Sequence, residues 1–181
     1  MAWPDTLPTL EIGLTGWCLR PWEPDDAPSL AVHADNANVW RWMSDAFPHP
    51  YTPEVAEQWV RRGHVEFGGD HWAIAFDGQA VGGCGLAPMD GALRCNAEIG
   101  WWLAEPFWGR GVATQVARRL VQRGWADPGL TRLCAPIHAG NTRSMRVAEK
   151  AGLTLEAVQR RSAWKAGQII DRHLYTIVRE D

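Results

Sequence analysis

Residues 98–114 have the sequence Glu98-Ile-Gly-Trp-Trp-Leu-Ala-Glu-Pro-Phe-Trp-Gly-Arg-Gly-Val-Ala-Thr114. Ile99, Trp101 and Leu103 occupy alternate positions, which is the period of a β-strand rich in branched and aromatic side chains. Pro106 has no N–H to donate to a sheet, so the strand ends before it. The stretch therefore predicts a strand, followed by a loop that contains two glycines.

The loop leads into an amphipathic helix, because Val112, Val116 and Leu120 recur at every fourth position. Glycines let the main chain come close to a ligand. The first N–H groups of the helix have no partner inside it, and the helix dipole favours negative charge there. With the cation of Arg110 added, residues 108–113 predict a site for a phosphate or a pyrophosphate.

Two common phosphate-binding loops do not fit this stretch. The dinucleotide pattern Gly-x-Gly-x-x-Gly needs a glycine at position 114, which is Thr114, and the ATP-binding loop needs a lysine directly after Gly111. The alternative without a ligand is a tight strand-to-helix turn that needs glycine only for its backbone shape.

Two blocks of the sequence resemble the GNAT N-acetyltransferases, in the form carried by their RimJ/RimL branch. Residues 108–114, after the strand 98–103, are similar to the acetyl-CoA motif Gln/Arg-x-x-Gly-x-Gly/Ala, with Trp108 departing from its first position. Residues 141–153 resemble the branch's signature Asn-x-x-Ser-x-x-x-x-Glu-Lys-x-Gly-Phe/Leu. The two blocks have the expected order and spacing, and the likeness extends from about Gly16 to the C-terminus.

The chain of 181 residues suits one domain, 16–181, preceded by a proline-rich, extended lead-in over 1–15. Its elements predict an α+β (mixed α/β) fold, and the resemblance implies the GNAT fold, with a splayed, mostly antiparallel central sheet flanked by helices. The predicted strands cover 16–22, 71–76, 79–86, 93–103, 130–137, 153–161 and 168–178. The predicted helices cover 25–36, 52–67, 112–126 and 141–151.

The composition argues against several other classes of protein. A net charge of -3 gives no basic surface for nucleic acid, and no apolar run approaches the roughly 20 residues of a membrane span. The start lacks the pattern of a secretory signal, so we expect a cytoplasmic protein, either a monomer or a homodimer. The four scattered cysteines are typical of small buried side chains, and the spacing of the six histidines predicts no metal site.

The resemblance implies acetyl-CoA as the co-substrate. Its pantetheine amides would pair with the strand edge near residues 101–103, and its diphosphate would bind the glycine loop. Arg143 and Lys150 lie on the second block's helix and could meet CoA phosphates, although helix cations are usually only solvated. The expected cofactor-binding residues are Trp101, Trp102, Leu103, Trp108, Gly109, Arg110, Gly111, Val112, Ala113, Thr114, Asn141 and Arg143.

Three residues are candidates for catalysis. Glu98 is the expected general base, directly or through a water, with burial raising its pKa; the alternative is a hydrogen-bonded glutamate at a strand end. Ser144 is the expected acid or hydrogen-bond donor toward the CoA sulfur, or else part of a helix cap. Asn141 suits an N-cap and, as the resemblance implies, a contact to pantetheine or to the acceptor.

The acceptor is expected to be a primary amine. Trp40, Trp42 and Met43 lie in the segment that resembles the family's acceptor wall, although core packing is the commoner role for such a cluster. Asp45 and Glu66 are carboxylates that could recognise an ammonium group.

We therefore predict an acetyl-CoA-dependent N-acetyltransferase that works by direct attack in a ternary complex. An α-amine with a pKa near 8 loses its proton more readily than a lysine near 10.4, which favours the N-terminus of a peptide or protein. The alternatives are a small-molecule acetyltransferase, acting on an antibiotic, a polyamine or an amino-acid analogue, and a non-catalytic acetyl-CoA-binding module.

Overall fold

The computed structural model describes residues 7–63 and 68–180. Within them, one sheet of eight strands has the order β1-β2-β3-β4-β5-β6-β8-β7. All neighbouring strands are antiparallel except β5 and β6, which are parallel, so the predicted mixed fold with a mostly antiparallel sheet is confirmed. The strands are β1 (Leu10–Glu11), β2 (Trp17–Arg20), β3 (Asp70–Phe76), β4 (Gln79–Pro88), β5 (Asn96–Leu103), β6 (Arg132–His138), β7 (Thr154–Lys165) and β8 (Gln168–Val178).

Five α-helices are found in the described residues, and none of these is long and apolar enough to cross a membrane. They are α1 (Ala27–Ala34), α2 (Ala37–Trp40), α3 (Pro53–Gln58), α4 (Val112–Trp125) and α5 (Thr142–Lys150). Short 3-10 turns cover Pro24–Asp26, Gly91–Leu93 and Glu105–Phe107, and a π-helical turn covers Trp59–Gly63.

Several predicted elements have different bounds in the structure. The helix expected over 25–36 begins as a 3-10 turn and ends at Ala34, and the helix expected from 52 changes to a π-helical turn at Trp59; its last residues, 64–67, lie outside the described residues. The strand expected from 93 begins at Asn96, because the chain before it is still turning through Gly91–Leu93. The lead-in adds β1, which pairs with β2 at the edge of the sheet.

The sheet separates two apolar clusters. Helix α4 covers one face with Val116, Ala117 and Leu120, which are all fully buried, so the predicted four-residue period marks its inner side. The opposite face is covered by α1 and α3, where Leu30 and Ala56 are buried. Each face of the central strands therefore meets a different layer of helices.

A buried ion pair joins β2 to the turn before α1. The guanidinium of Arg20 donates to both carboxylate oxygens of Asp26, at 2.8 and 2.6 Å, and the two side chains are only 12% and 5% exposed. Asp26 also accepts from the main-chain N–H of Glu23 at 2.8 Å. This pair fixes the chain where it leaves the sheet toward α1.

We expect Arg20→Met to lower the free energy of unfolding by about 3–5 kcal/mol, because it leaves the buried carboxylate of Asp26 without its cation. Arg61→Met is the matched control, since Arg61 is 72% exposed and lies 3.7 Å from Glu57. Its loss should cost about 1 kcal/mol or less. Denaturant unfolding measures both changes, and equal costs would contradict the role given to the buried pair.

Candidate active site

The sheet opens between β5 and β6. The two strands pair only at their beginnings, and the last pair is Glu98 with Cys134. Residues 99–103 of β5 continue along β4, whereas residues 135–138 of β6 continue along β8. The predicted splay is therefore present, and the gap beyond this last pair is called the β5–β6 opening below.

The main chain of β5 turns alternate residues toward this opening, where the carbonyl of Leu103 is already paired with the indole N–H of Trp108. Ala104 donates its N–H to Val81 on the β4 side at 2.8 Å. Because hydrogen-bonding directions alternate along an antiparallel strand, the main-chain groups of Ile99, Trp101 and Leu103 point away from β4, toward the opening. An extended ligand with amide groups can pair with such an edge as an added strand would. The main chain of Trp102 instead faces β4.

Trp108 occupies the end of this edge. Its indole N–H donates to the carbonyl oxygen of Leu103 at 2.6 Å, and the guanidinium carbon of Arg143 lies 4.9 Å from the centre of its ring. The tryptophan thus joins the glycine loop to β5 and to the beginning of α5. The sequence predicted Trp108 as a cofactor-binding residue, and the structure gives it this positioning contact.

The glycine loop presents a row of free main-chain donors. Gly109 and Gly111 have φ angles of +77° and +79°, which favour glycine, and Gly111 is the N-cap of α4. The N–H groups of Thr114 and Gln115 reach the carbonyl of Gly111. Within the described chain, the five preceding main-chain N–H groups, of residues 109–113, donate no hydrogen bond. Unpaired N–H groups at the beginning of a helix form a site for an anion.

Two cations flank this loop. Arg110 is exposed, donates to the carbonyl of Pro106 at 3.0 Å and lies 5.5 Å from the ring centre of Phe107. Arg143 lies on the other side, above Trp108. Lys150 is at the far end of α5, where its carbonyl accepts from the side chain of Arg118. The structure thus brings the two arginines to the loop, and not the lysine.

Helix α5 begins beside the opening. The side chain of Asn141 accepts from the main-chain N–H of Ser144 at 3.2 Å, so Asn141 is an N-cap, as its sequence position indicates. The cap uses the N–H of Ser144 and not its hydroxyl. The half-buried hydroxyl of Ser144 forms no hydrogen bond within the described part of the chain, so it is available to a ligand.

Glu98 lies where the two strands part. Its side chain belongs to the face of β5 opposite Ile99, and it is open to a large cleft on that face. Glu98 is exposed to the cleft, but the protein atoms around its carboxyl group partly desolvate it and so raise its pKa, and the cation of Arg172 on β8 partly opposes the rise. A carboxylate with a raised pKa is a better base near neutral pH than an ordinary one.

The cleft on the Glu98 side has a volume of about 850 Å³ and is called the aromatic cleft below. Its walls come from β4, β5, the 43–51 loop, α3 and the π-helical turn. The aromatic side chains on this face that line it are those of Trp22, Phe47, Tyr51, Trp59, His71 and Trp102.

Of the three residues expected in an acceptor wall, only Met43 lines this cleft. Trp42 lies near Gly140, where a β-carbon would be 3.8 Å from its ring. Trp40 is stacked on His49 with ring centres 5.3 Å apart, and the Lys165 ammonium lies 3.9 Å from its ring centre. Trp40 therefore contacts the end of the β7–β8 hairpin.

The expected ammonium-binding carboxylate Asp45 is already engaged. It lies 3.2 Å from the Lys165 ammonium, and it accepts from the main-chain N–H of Ala166. The hydrogen bonds from Ala166 and then Lys165 lower the pKa of Asp45. Glu66, the other candidate, lies outside the described residues. The hairpin end is thus tied to the 41–51 segment.

The tyrosines and the possible metal ligands lie in different parts of the structure. Tyr51 lines the aromatic cleft, and burial raises its pKa to about 12, so its phenol is a neutral hydrogen-bond donor. Tyr175 donates to Glu149 at 3.2 Å on the other face of the sheet. In residues 7–63 and 68–180, no cluster of three or more histidine, cysteine or acidic side chains is arranged to hold a metal ion.

Sequence reasoning missed the part of the cleft formed by Phe47, Tyr51 and Trp59. Nothing in their local pattern marks them as site residues, because distant loops bring them together. The position of Trp102 did carry a signal: it has the same parity along β5 as Glu98 and Gly100, and residues of one parity share a face.

Together these features suit an enzyme with room for an extended, anionic ligand at the β5–β6 opening, beside a carboxylate and a cleft that could hold a second substrate. The acetyltransferase (GNAT) domain family matches residues 17–154. The chain belongs to this family and is an acetyl-CoA-dependent N-acetyltransferase, which confirms the predicted class of acyltransferase.

Known proteins resemble the chain over most of its length. The putative ribosomal N-acetyltransferase YdaF of Bacillus subtilis (strain 168) is 26% identical over 169 residues, covering 90% of this chain and 91% of that protein. The structure of Mycobacterium smegmatis RimJ in complex with CoA-disulfide has a TM-score of 0.81 at 25% identity, over 97% of this chain and 88% of RimJ. The microcin C7 self-immunity acetyltransferase MccE, in complex with acetyl-CoA and AMP, has a TM-score of 0.82 at 19% identity, over 97% of each chain.

Proposed function

We propose that this acetyltransferase acetylates the α-amino group of a peptide or protein N-terminus, by direct attack on acetyl-CoA in a ternary complex. The observation that carries the proposal is the position of Glu98. It is the last residue of β5 paired with β6, so it borders the β5–β6 opening, and its side chain lies in the aromatic cleft. A thioester in the opening and an amine in the cleft would meet at this carboxylate.

The β5–β6 opening suits CoA along its whole length. The diphosphate would accept hydrogen bonds from the N–H groups of residues 109–113, with Arg110 and Arg143 beside it. The pantetheine amides would pair with the outward main-chain groups of Ile99 and Trp101. This arrangement leads the thioester toward the junction between β5 and β6.

The reaction needs one proton removed and one supplied. The amine nitrogen attacks the acetyl carbon while Glu98 accepts its proton, directly or through a water. The carbon–sulfur bond then breaks, and the hydroxyl of Ser144 donates a hydrogen bond to the departing thiolate. The thiolate takes up a proton from solvent, and Glu98 returns to solvent the proton it accepted, so the protons balance. A thioester is already activated, so no covalent enzyme intermediate is needed.

An α-amine fits this site better than a lysine side chain. Its pKa is near 8, compared with about 10.4 for lysine, so a larger fraction of the α-amine is neutral at pH 7 and its proton is more easily transferred to a carboxylate. The relative YdaF is described as a putative ribosomal N-acetyltransferase, which supports a protein N-terminus as the acceptor.

A small-molecule amine is the second candidate, and the observation that favours it is the enclosed aromatic lining of the cleft. MccE, which has the same fold, was crystallised with AMP beside acetyl-CoA. A cleft of about 850 Å³ has the size of a drug-sized ligand site.

One experiment separates the two candidates. The purified chain is given acetyl-CoA with peptides that carry a free N-terminus, with the same peptides blocked at the N-terminus but carrying a lysine, and with small primary amines. We expect CoA release and a gain of one acetyl group on free N-termini at neutral pH. Turnover of small amines alone would support the second candidate, and turnover of blocked lysine peptides alone would contradict an α-amine acceptor.

A further inference from the structure

The floor of the aromatic cleft is bare main chain at Gly100, whereas the imidazole of His71 lies over the neighbouring Gly85. Gly100 of β5 lies directly opposite Gly85 of β4 in the sheet. A β-carbon added at Gly100 would meet no atom within 4 Å, and its φ angle is not in the left-handed region. The missing side chain therefore leaves open space, and nothing in the backbone of this strand requires a glycine there.

The walls beside this floor are aromatic. Phe47 contacts Trp102 edge-to-face, with ring centres 5.5 Å apart, and also contacts Tyr51 at 4.8 Å. Trp22 and Trp59 form a second perpendicular pair, with ring centres 6.3 Å apart. Phe47, Trp59 and Trp102 are only partly buried, so each keeps ring surface turned toward the space.

The floor has a fixed place relative to the carboxylate of Glu98. Glu98, Gly100 and Trp102 share one face of β5, and two residues advance a strand by roughly 7 Å. A group bonded to an amine at Glu98 would therefore lie over Gly100, and Trp102 follows about 7 Å further along the strand.

The few charged groups in the cleft also favour an apolar ligand over Gly100. Among the described residues that line it, Glu98 is the one carboxylate, Arg61 the one guanidinium and His71 the one imidazole. Arg61 is 72% exposed beside Glu57, and a ring nitrogen of His71 lies 2.8 Å from the carbonyl oxygen of Gly68. A basic acceptor group would find no second carboxylate there. An apolar ring would replace water on several aromatic surfaces at once, which is favourable.

From this geometry we propose that the space above Gly100 is a specificity subsite for a bulky apolar group, preferably aromatic, on the carbon skeleton of the acceptor amine. The inference rests on the proposed function, because it assumes that the amine lies at Glu98. The same chemistry could come from a peptide whose first residue is large and apolar or from a free arylalkylamine. Small first residues such as alanine would leave the subsite filled only with water.

The test compares acceptors that differ only in this group. Peptides of one sequence begin with glycine, alanine, leucine, phenylalanine or tryptophan, and ethylamine is compared with 2-phenylethylamine. We expect kcat/KM to be roughly 10- to 100-fold higher for the aromatic member of each series, the range that burial of one such side chain supplies. A preference for aromatic first residues among the peptides identifies the N-terminus of a peptide or protein as the acceptor. A preference for 2-phenylethylamine without one among the peptides identifies a small-molecule acceptor.

Two variants test the location of the subsite. Gly100→Val puts a branched side chain on the floor, and we expect the ratio of kcat/KM for phenylalanyl over alanyl acceptors to fall about 10-fold. Phe47→Ala removes a wall and should lower the same ratio. Trp164→Ala is the matched control, because this tryptophan is 63% exposed on β7 outside the cleft, and the ratio should not change.

The outcomes separate the two levels of the proposal. Equal or greater turnover of alanyl and ethyl acceptors than of aromatic ones overturns the subsite and leaves the proposed function standing. An unchanged ratio in both Gly100→Val and Phe47→Ala, each folded by its unfolding midpoint, also overturns the subsite. Failure of every acceptor to release CoA overturns both.

Discussion

Replacing Glu98 with glutamine is expected to lower kcat by about 10²- to 10⁴-fold, the contribution of a positioned general base. The amide has nearly the shape of the carboxylate, so the cleft and the β5–β6 opening keep their form. The affinity for CoA, measured by calorimetry, should therefore change little. Glu11→Gln is the matched control, because Glu11 is an exposed strand carboxylate on β1, at the edge of the sheet.

The pH dependence of the reaction gives a second measure of the same residue. Partial desolvation raises the pKa of Glu98, and only its deprotonated form can accept a proton from the amine. The rate of the wild-type enzyme should therefore fall as pH decreases through this raised pKa, above the range of an ordinary glutamate near 4.3. In Glu98→Gln the fall in rate due to protonation of this carboxylate should be absent. The dependence of the rate on deprotonation of the acceptor amine should remain.

A Glu98→Gln enzyme with the rate and the pH profile of the wild type would show that the residue only completes the strand end. A loss of CoA affinity equal to the loss of rate would give Glu98 a binding role instead. Either result would remove it as the base and would leave the family assignment, which rests on the whole domain, untouched.

The local pattern of residues 98–114 predicted the strand, the loop and the helix of the candidate site, because these features are short-range. Alternation along β5 follows from a period of two, and it places Glu98, Gly100 and Trp102 on one face. The positive φ angles of Gly109 and Gly111 follow from the need to turn from a strand into a helix over a few residues. The predicted N-cap at Asn141 depends on a contact with a residue three positions away, and it is observed.

The aromatic cleft could not be predicted in the same way. Phe47, Tyr51 and Trp59 come from a loop, its end and an irregular helical turn, and they meet Trp102 of β5 only in the folded chain. Trp40 shows the reverse case. Its sequence neighbourhood is similar to that of Trp42, but its ring contacts the ammonium group of Lys165, 125 positions later in the chain, at the end of the β7–β8 hairpin. Such contacts depend on tertiary structure that no local period encodes.

Replacing Gly111 with tryptophan is expected to weaken CoA binding by about 100-fold or more. A hydrogen bond to a charged group contributes about 1.5–3 kcal/mol, so the loss of two from the row of main-chain donors already reaches that range. Gly111 has a φ of +79°, and a β-carbon there meets no atom within 4 Å. A large side chain would therefore project into the space beside the main-chain N–H groups that are proposed to bind the diphosphate.

The backbone strain of this substitution must be separated from its effect on binding, and Gly91 provides the control. Gly91 also has a positive φ, +61°, and also has open space at its β-carbon, but it lies in the turn before β5, at the opposite end of that strand from the glycine loop. Gly91→Trp and Gly111→Trp should each cost about 1–2 kcal/mol of folding stability, because an L-residue is forced into a left-handed conformation. Only Gly111→Trp should lose CoA in calorimetry. Equal affinity in the two variants would mean that the glycine loop is simply a turn between strand and helix, and that the diphosphate binds elsewhere.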